Sequence, residues 1–356
     1  MGESRIVQEL MGAPGSPYTR KMLGLMRYRH IPYRLERQSR IPNSSEEKHR
    51  RQRVQPKVSL LPTFYYKDDS GAEIAVTDST PIIRRFESEY EGRSVIPSDP
   101  ALAFIDLLLE DYGDEWLTKA MFHYRWHYDA DIKKGGDILP RWGGIAQPEV
   151  QVQPMSEFIR SRQIARLSYV GSNKITKITI EESFKRFIHL LDKHLTIQPF
   201  LMGERPGASD FAIYGQLTCL ALFDPTPQAI ILSECPRVYA WVEVVEELSG
   251  YLVSDDDWLD MDHLPSTLKE ILAEVGYQWL FVDAEHGPLE TAELLGILQA
   301  VSHRVPCVIR VPKNDDGLIK KALDLGAAGI IVPNVNTAEE AAAVVDAARY
   351  APQGSR

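Results

Sequence analysis

Long hydrophobic runs are missing from this chain of 356 residues. No apolar stretch reaches the ~18 residues that a membrane span needs, and the N-terminus shows no apolar core of a secretory signal. Cysteine is scarce. Cys219, Cys235 and Cys307 are three in number and widely spaced. They give neither a disulfide framework nor a zinc-ligand pattern, and read as small apolar residues kept reduced. An excess of basic residues is also lacking: 40 Lys and Arg stand against 50 Asp and Glu, a formal net charge of -10. That balance excludes a general nucleic-acid-binding surface. Together these absences predict a cytoplasmic protein with neither a membrane nor a nucleic acid as its partner.

What is present is ordinary globular composition, 44% hydrophobic and 25% charged. The length predicts two or three domains. Over the first ~95 residues strand and helix signals alternate. Ile6 to Met11 predicts a strand, and Gly12-Ala13-Pro14-Gly15-Ser16-Pro17 a turn that opens a helix over Tyr18 to Arg29. Ser16 suits the N-cap and Pro17 the first helical position. Strands follow at Tyr33 to Arg37, at Val58 to Tyr66 through Leu61-Pro62, and at Glu73 to Val76 after the hairpin turn Asp68 to Gly71. Asp78 or Ser79 caps a helix over Pro81 to Glu89. This order predicts an α+β domain with a mixed sheet.

From Ser98 to about Ser249 apolar residues recur at helical spacing, as in Phe184, Phe187, Ile188, Leu191 and Leu195. Gly and Pro between Lys133 and Pro154 predict a long irregular excursion, with helix resuming at Ser156. An acidic connector, Ser254 to Asp262, precedes a helix at Ser266 to Val275 that suits either neighbouring region. Then βα units begin. Strands are predicted at Trp279 to Val282, Val305 to Val311 and Ala328 to Pro333, with helices at Thr291 to Val301, Asp316 to Leu325 and Thr337 to Ala348. That alternation predicts a parallel sheet.

Two sites stand out. Ser16 lies where a strand hands over to a helix, so unpaired N–H groups and the helix dipole favour an anion there. A hydroxyl at that position can donate to a thiolate and lower a bound thiol's pKa, although a plain N-cap has the same signature. Tyr18, two residues on, is the alternative hydroxyl. Leu61-Pro62 opens a strand after a loop, where exposed backbone can pair with an extended peptide. Asp78-Ser79, at a helix start, offers a carboxylate, a hydroxyl and helix N–H groups. Trp116, His123, Tyr124 and Trp126 form an aromatic stripe that suits a core or an acceptor pocket.

With these residues in place, positions 1 to about 250 resemble the glutathione S-transferase family. The resemblance implies a thioredoxin-like glutathione-binding domain at 1–95 and an all-α helical domain at 96–262. It implies glutathione as substrate, with Ser16 or Tyr18 activating the thiol and Leu61, Pro62, Asp78 and Ser79 holding the rest of the molecule. A small electrophile as second substrate and a homodimer are its expected partners. The stretch Phe200 to Phe211 is similar to the family's approach to its core helix, which implies a structural cap at Asp210. Gly207 stands where that cap usually has Ser or Thr.

The second site is Asp283, Glu285 and His286 at a strand end, with Arg310 ending the next strand. A His beside an acid is a general base, and Arg can hold a carboxylate. Val282-Asp283-Ala284-Glu285-His286-Gly287-Pro288, Ile309-Arg310-Val311-Pro312 and Ala327-Ala328-Gly329-Ile330-Ile331-Val332-Pro333 together resemble the HpcH/HpaI aldolase family, metal-dependent enzymes that cleave 4-hydroxy-2-oxo acids. By that resemblance His286 with Asp283 is the base/acid pair, and Arg310 binds the pyruvate carboxylate. Three strands in 263–356 make an incomplete (β/α)₈ barrel. The family's metal ligands lie on later strands, so no metal is expected within the chain unless the barrel is completed, and the aldolase segment is expected to be inactive by itself. Its open sheet edges are expected to pack on the helical domain or on a second copy. Lyase activity with strands supplied in trans, and a non-catalytic interaction module, are the alternatives.

Overall fold

A computed structural model describes residues 7–37, 39, 45–274, 279–285, 289–301 and 306–356. Packing divides the chain into two units, residues 1–97 with 106–274, and residues 98–105 with 275–356.

The first unit opens with a four-stranded mixed sheet. Its strands are β1 (Gln8–Gly12), β2 (Tyr33–Arg37), β3 (Thr63–Lys67) and β4 (Glu73–Val76), in the order β2-β1-β3-β4. β1 pairs parallel to β2 and antiparallel to β3, and β3 pairs antiparallel to β4, which gives a thioredoxin-like arrangement. α1 (Pro17–Tyr28) crosses from β1 to β2, α2 (Ser45–Gln52) follows β2, and α3 (Ser79–Glu89) follows β4. α1 buries Met22, Leu23, Leu25, Met26 and Tyr28, covering more than one face, because it also packs against a core helix of the same unit. The hairpin turn forms at Asp68 to Gly71: the Asp68 carboxylate accepts the N–H groups of Ser70 and Ala72, and Gly71 takes φ +83°. β3 starts at Thr63, so Val58 to Pro62 is loop and not strand. β1 begins at Gln8, and Ile6 lies outside the described residues.

A helical region follows: α4 (Pro100–Asp111), α5 (Thr118–His127), α6 (Asp129–Trp142), α7 (Glu149–Ile164), α8 (Lys177–His194), α9 (Ala208–Leu217), α10 (Pro225–Glu234), α11 (Pro236–Val245) and α12 (Ser266–Glu274). The excursion expected at Lys133 to Pro154 is instead most of a helix hairpin, α6 and α7. Its glycines serve close packing. A Cβ on Gly136 would meet the Arg160 side chain, so glycine lets that side chain of the neighbouring helix lie close. π-helical turns at Tyr112–Leu117 and Thr218–Phe223 extend α4 and α9.

α9 is wholly buried, and its start shows why Gly207 replaces the usual Ser or Thr. Asp210 accepts the N–H groups of Leu201 and Gly207, both at 2.9 Å. The Ser209 N–H that an N-cap hydroxyl could satisfy goes to Asp106 Oδ1, 3.0 Å away on α4. A Cβ on Gly207 would sit 2.3 Å from that oxygen, so a carboxylate from another helix does the capping. Burial pushes the Asp106 carboxyl up to about 8 and that of Asp210 up to about 7.

The acidic connector is docked and not a free linker. Fully buried Arg205 donates to Ser254 O, Asp255 Oδ1 and Ser94 O, and its guanidinium lies 4.3 Å from the Trp258 ring centre. α12 stays with this unit. Thr267 Oγ1 lies 2.9 Å from His194 Nδ1 of α8, and Glu270 pairs with Lys193.

The second unit carries a three-stranded parallel sheet, β5 (Leu280–Asp283), β6 (Cys307–Arg310) and β7 (Gly329–Ile331), in sequence order. Its helices α13 (Thr291–Val301), α14 (Asp316–Asp324) and α15 (Ala338–Ala348) alternate with the strands. This is the pattern of a partial β/α barrel. Val305, expected to start the second strand, lies outside the described residues. No described helix is long and apolar enough to cross a membrane.

Candidate functional site

At the start of α1, Ser16 is the N-cap and Pro17 the first helical residue. Ser16 Oγ accepts the Thr19 N–H at 3.2 Å and donates to Leu61 O at 3.3 Å. The Leu61-Pro62 peptide is cis. Ser16 and the loop before β3 therefore meet, though 45 residues separate them in sequence. The Leu61 N–H has no hydrogen-bond partner among the described residues.

Beside this junction lies a cleft of about 520 Å³, lined by Leu61, Pro62, Asp78 and Ser79 on the sheet side and by Glu110 and Asp114 on the helical side. Asp78 caps α3 through Thr80 N–H at 3.3 Å and holds φ +84°. A non-glycine residue in that region stores about 1–3 kcal/mol, and such strain concentrates at ligand sites.

Tyr18 also lines the cleft, but its hydroxyl donates to the Asp114 carbonyl at 2.6 Å. Burial, with the Asp114 charge adding to it, raises the phenol's pKa. Tyr18 is placed as a strut between α1 and the π turn after α4.

Beneath the cleft is a charge cluster that the sequence pattern did not single out. Lys21 is fully buried, and its ammonium donates to Glu110 Oε1 at 2.7 Å, Asp114 Oδ2 at 2.6 Å and Ser79 Oγ at 3.0 Å. Burial alone would lower the Lys21 pKa, but the carboxylates of Asp114 and Glu110 reverse this and raise it. Burial pushes the Asp114 carboxyl up to about 6 against the pull of Lys21. The only signals in the sequence were a lysine beside the apolar positions Met22 and Leu25, and acids four apart at the end of an apolar helix.

The aromatic stripe lies elsewhere. His123, Tyr124 and Trp126 are buried core and do not line the cleft. His123 Nδ1 lies 2.8 Å from Ser172 Oγ and Nε2 3.0 Å from Glu181 Oε1, so both ring nitrogens are satisfied. Trp116 is partly exposed and donates from Nε1 to Ser183 Oγ.

In the second unit the strand register sets Asp283 opposite Arg310. Arg310 Nε donates to Asp283 Oδ1 at 2.9 Å, Nη2 bonds the other carboxylate oxygen, and Glu285 Oε2 lies 3.2 Å from Nε. His286 lies outside the described residues, so its expected pairing with Asp283 is not described. Among the described residues no group of three or more His, Cys, Asp or Glu converges as metal ligands, and Asp283 and Glu285 both face Arg310.

A thioredoxin-like domain and a helical region are followed in the chain by a parallel β/α segment. Residues 10–94 match the family described as glutathione S-transferase, N-terminal domain, and residues 263–356 match HpcH/HpaI aldolase/citrate lyase. The chain thus carries one segment similar to a glutathione S-transferase N-terminal domain and another similar to part of an HpcH/HpaI aldolase domain. A 4-hydroxy-2-oxovalerate aldolase of Novosphingobium aromaticivorans is 46% identical over 101 residues, 28% of this chain and 38% of that protein. The chain therefore spans less than two fifths of that relative's length. An HpcH/HpaI aldolase/citrate lyase family protein of Burkholderia cenocepacia J2315 is similar in structure at 33% identity and a TM-score of 0.23, over 26% of this chain and 38% of that one. A glutathione transferase family member of Pseudomonas fluorescens pf-5, solved with two glutathione bound, is similar at 14% identity and a TM-score of 0.41, over 68% and 89%.

Proposed function

We propose that the N-terminal unit binds glutathione in the cleft beside Leu61-Pro62 and transfers its thiolate to a small electrophile. One observation carries the reading: the Ser16 hydroxyl at the head of α1 reaches the carbonyl of Leu61, so a thiol-activating position and a free backbone edge form one site. The unpaired Leu61 N–H suits the extended cysteinyl backbone of the ligand. Asp78, Ser79 and the N-terminus of α3 suit its γ-glutamyl head group, with Lys21 fixing the Ser79 hydroxyl from below. The Ser16 hydroxyl, exchanging its long bond to Leu61 O for the sulfur, and the α1 dipole stabilise the thiolate. The thiol proton leaves to solvent. The sulfur lone pair forms a carbon–sulfur bond as the electrophile's leaving group departs with its electrons.

Binding of the full chain to immobilised glutathione, and conjugation to a model aryl halide, test this reading. Absence of both overturns it. A purified chain that instead keeps a stable protein partner without binding glutathione favours the interaction module. A homodimer in the cytoplasm remains part of the proposal, with sedimentation of the purified chain and cell fractionation as its checks.

Identity of 46% over the C-terminal segment supports a second reading, metal-dependent cleavage of a 4-hydroxy-2-oxo acid once further barrel strands join the three described. The segment is proposed to be inactive by itself. Pyruvate release dependent on added divalent cation from the purified chain alone would overturn that inactivity.

A further inference from the structure

We propose that Arg125, held by Asp224, is a positioning residue that fixes the Gly15–Ser16 peptide and so aims the Ser16 hydroxyl at Leu61, beside the cleft. Arg125 is almost fully buried on α5, in the helical region. Its Nε bonds both carboxylate oxygens of buried Asp224, at 2.9 and 3.0 Å. Its Nη1 donates to the Gly15 carbonyl at 3.0 Å, 110 residues away in sequence. The Ser16 N–H, on the other side of the same peptide, bonds Ala13 O at 3.0 Å. A peptide unit is planar, so pinning its C=O and its N–H fixes its orientation. Ser16 then leaves that plane at φ -93° and ψ 117°, which sets where its side chain starts. Leu139 and Trp142 of α6 close over Gly15, where a Cβ would lie 2.3 Å and 2.6 Å from them.

A buried ion pair adds little net stability over well-packed apolar residues of the same size, so its main consequence here is geometric. Lysine cannot replace it. An ammonium is a point charge, whereas the guanidinium fork serves Asp224 and Gly15 at once.

The inference rests on Ser16 acting on the thiol, and the test separates the two claims. Arg125→Lys in the full chain is compared with wild type by amide hydrogen exchange over the segment 12–19 and by glutathione conjugation. Exchange at Ser16 is expected to speed up about tenfold or more. The kcat for conjugation is expected to fall about tenfold, with the KM for glutathione within about twofold, because Leu61 and Ser79 are untouched. The acid limb of the pH–rate profile is expected to move to higher pH. A merely structural role would lower the melting temperature without moving that limb. If Arg125→Lys does not fold, Arg125→Gln with Asp224→Asn removes both charges together and leaves no lone buried charge. Unchanged exchange in a folded variant overturns the positioning. Faster exchange with unchanged kcat overturns the link to the hydroxyl. A wild type that never conjugates glutathione defeats only the functional reading, and the exchange result still decides whether Arg125 positions the turn.

Discussion

Replacing Lys21 by Met tests the cluster beneath the cleft. Methionine nearly matches the aliphatic stem but strands Glu110 and Asp114, which are 4% and 8% exposed. At an effective dielectric of ~20, unit charges about 3 Å apart attract by about 5–6 kcal/mol, before desolvation is offset against it. Removing one member of such a buried pair costs about 3–5 kcal/mol, because the others remain desolvated and unpaired. That is a large part of the ~5–15 kcal/mol by which a domain is stable. The loss also depends on pH. Burial already holds the Asp114 carboxyl at about 6, above its ordinary value, and losing Lys21 raises it further. The folded state then binds protons more readily than the unfolded one, so stability rises as pH falls through that range. The deficit of Lys21→Met is expected to be about 3–5 kcal/mol at pH 8 and to shrink by about half at pH 5, where Asp114 is neutral. Urea unfolding followed by tryptophan fluorescence reads this unit, since Trp116, Trp126, Trp142, Trp241 and Trp258 lie in it and only Trp279 in the other. Adding Glu110→Gln and Asp114→Asn to Lys21→Met is expected to recover most of the loss. A deficit below about 1 kcal/mol at pH 8, or one equal at both pH values, refutes the reasoning.

Ser16→Ala is expected to lower kcat for glutathione conjugation by about 10²-fold with little change in glutathione binding, as one lost donor to a developing anion does; normal turnover would transfer the role to Tyr18 or elsewhere. Asp210→Ala leaves the buried N–H groups of Leu201 and Gly207 unpaired and should cost about 2–5 kcal/mol in chemical denaturation, at ~1–3 for each group. Asp106→Asn keeps an oxygen for the Ser209 N–H and removes an acid whose carboxyl sits at about 8, so it should raise the melting temperature at pH 9 and raise it less at pH 5, where the folded acid is neutral but the unfolded one is already ionised. A lower melting temperature at pH 9 would count against that account. Gly207→Ser should destabilise the unit despite serine's preference for N-caps, because its Cβ would meet Asp106 Oδ1; calorimetry showing a stabilised variant would contradict the close approach.

By itself the sequence determined the order of elements wherever local pattern carries the signal. Ser16-Pro17 marks a helix start through capping chemistry, Asp68 to Gly71 a hairpin through turn chemistry, and the runs into Asp283 and Arg310 strand ends through apolar bursts that stop at charge. The same local rules misplaced the hairpin at Lys133 to Pro154, because they count Gly136 as a breaker when it lies inside α6 against the Arg160 side chain. Tertiary structure alone decided which distant groups meet. It set Leu61 beside Ser16, Lys21 under Ser79, Asp106 at the cap that Gly207 leaves open, and Arg125 on the Gly15 carbonyl. A buried charge or a borrowed cap has no period along the chain. Its partner is chosen by packing, across separations of 45 to 110 residues in these four cases.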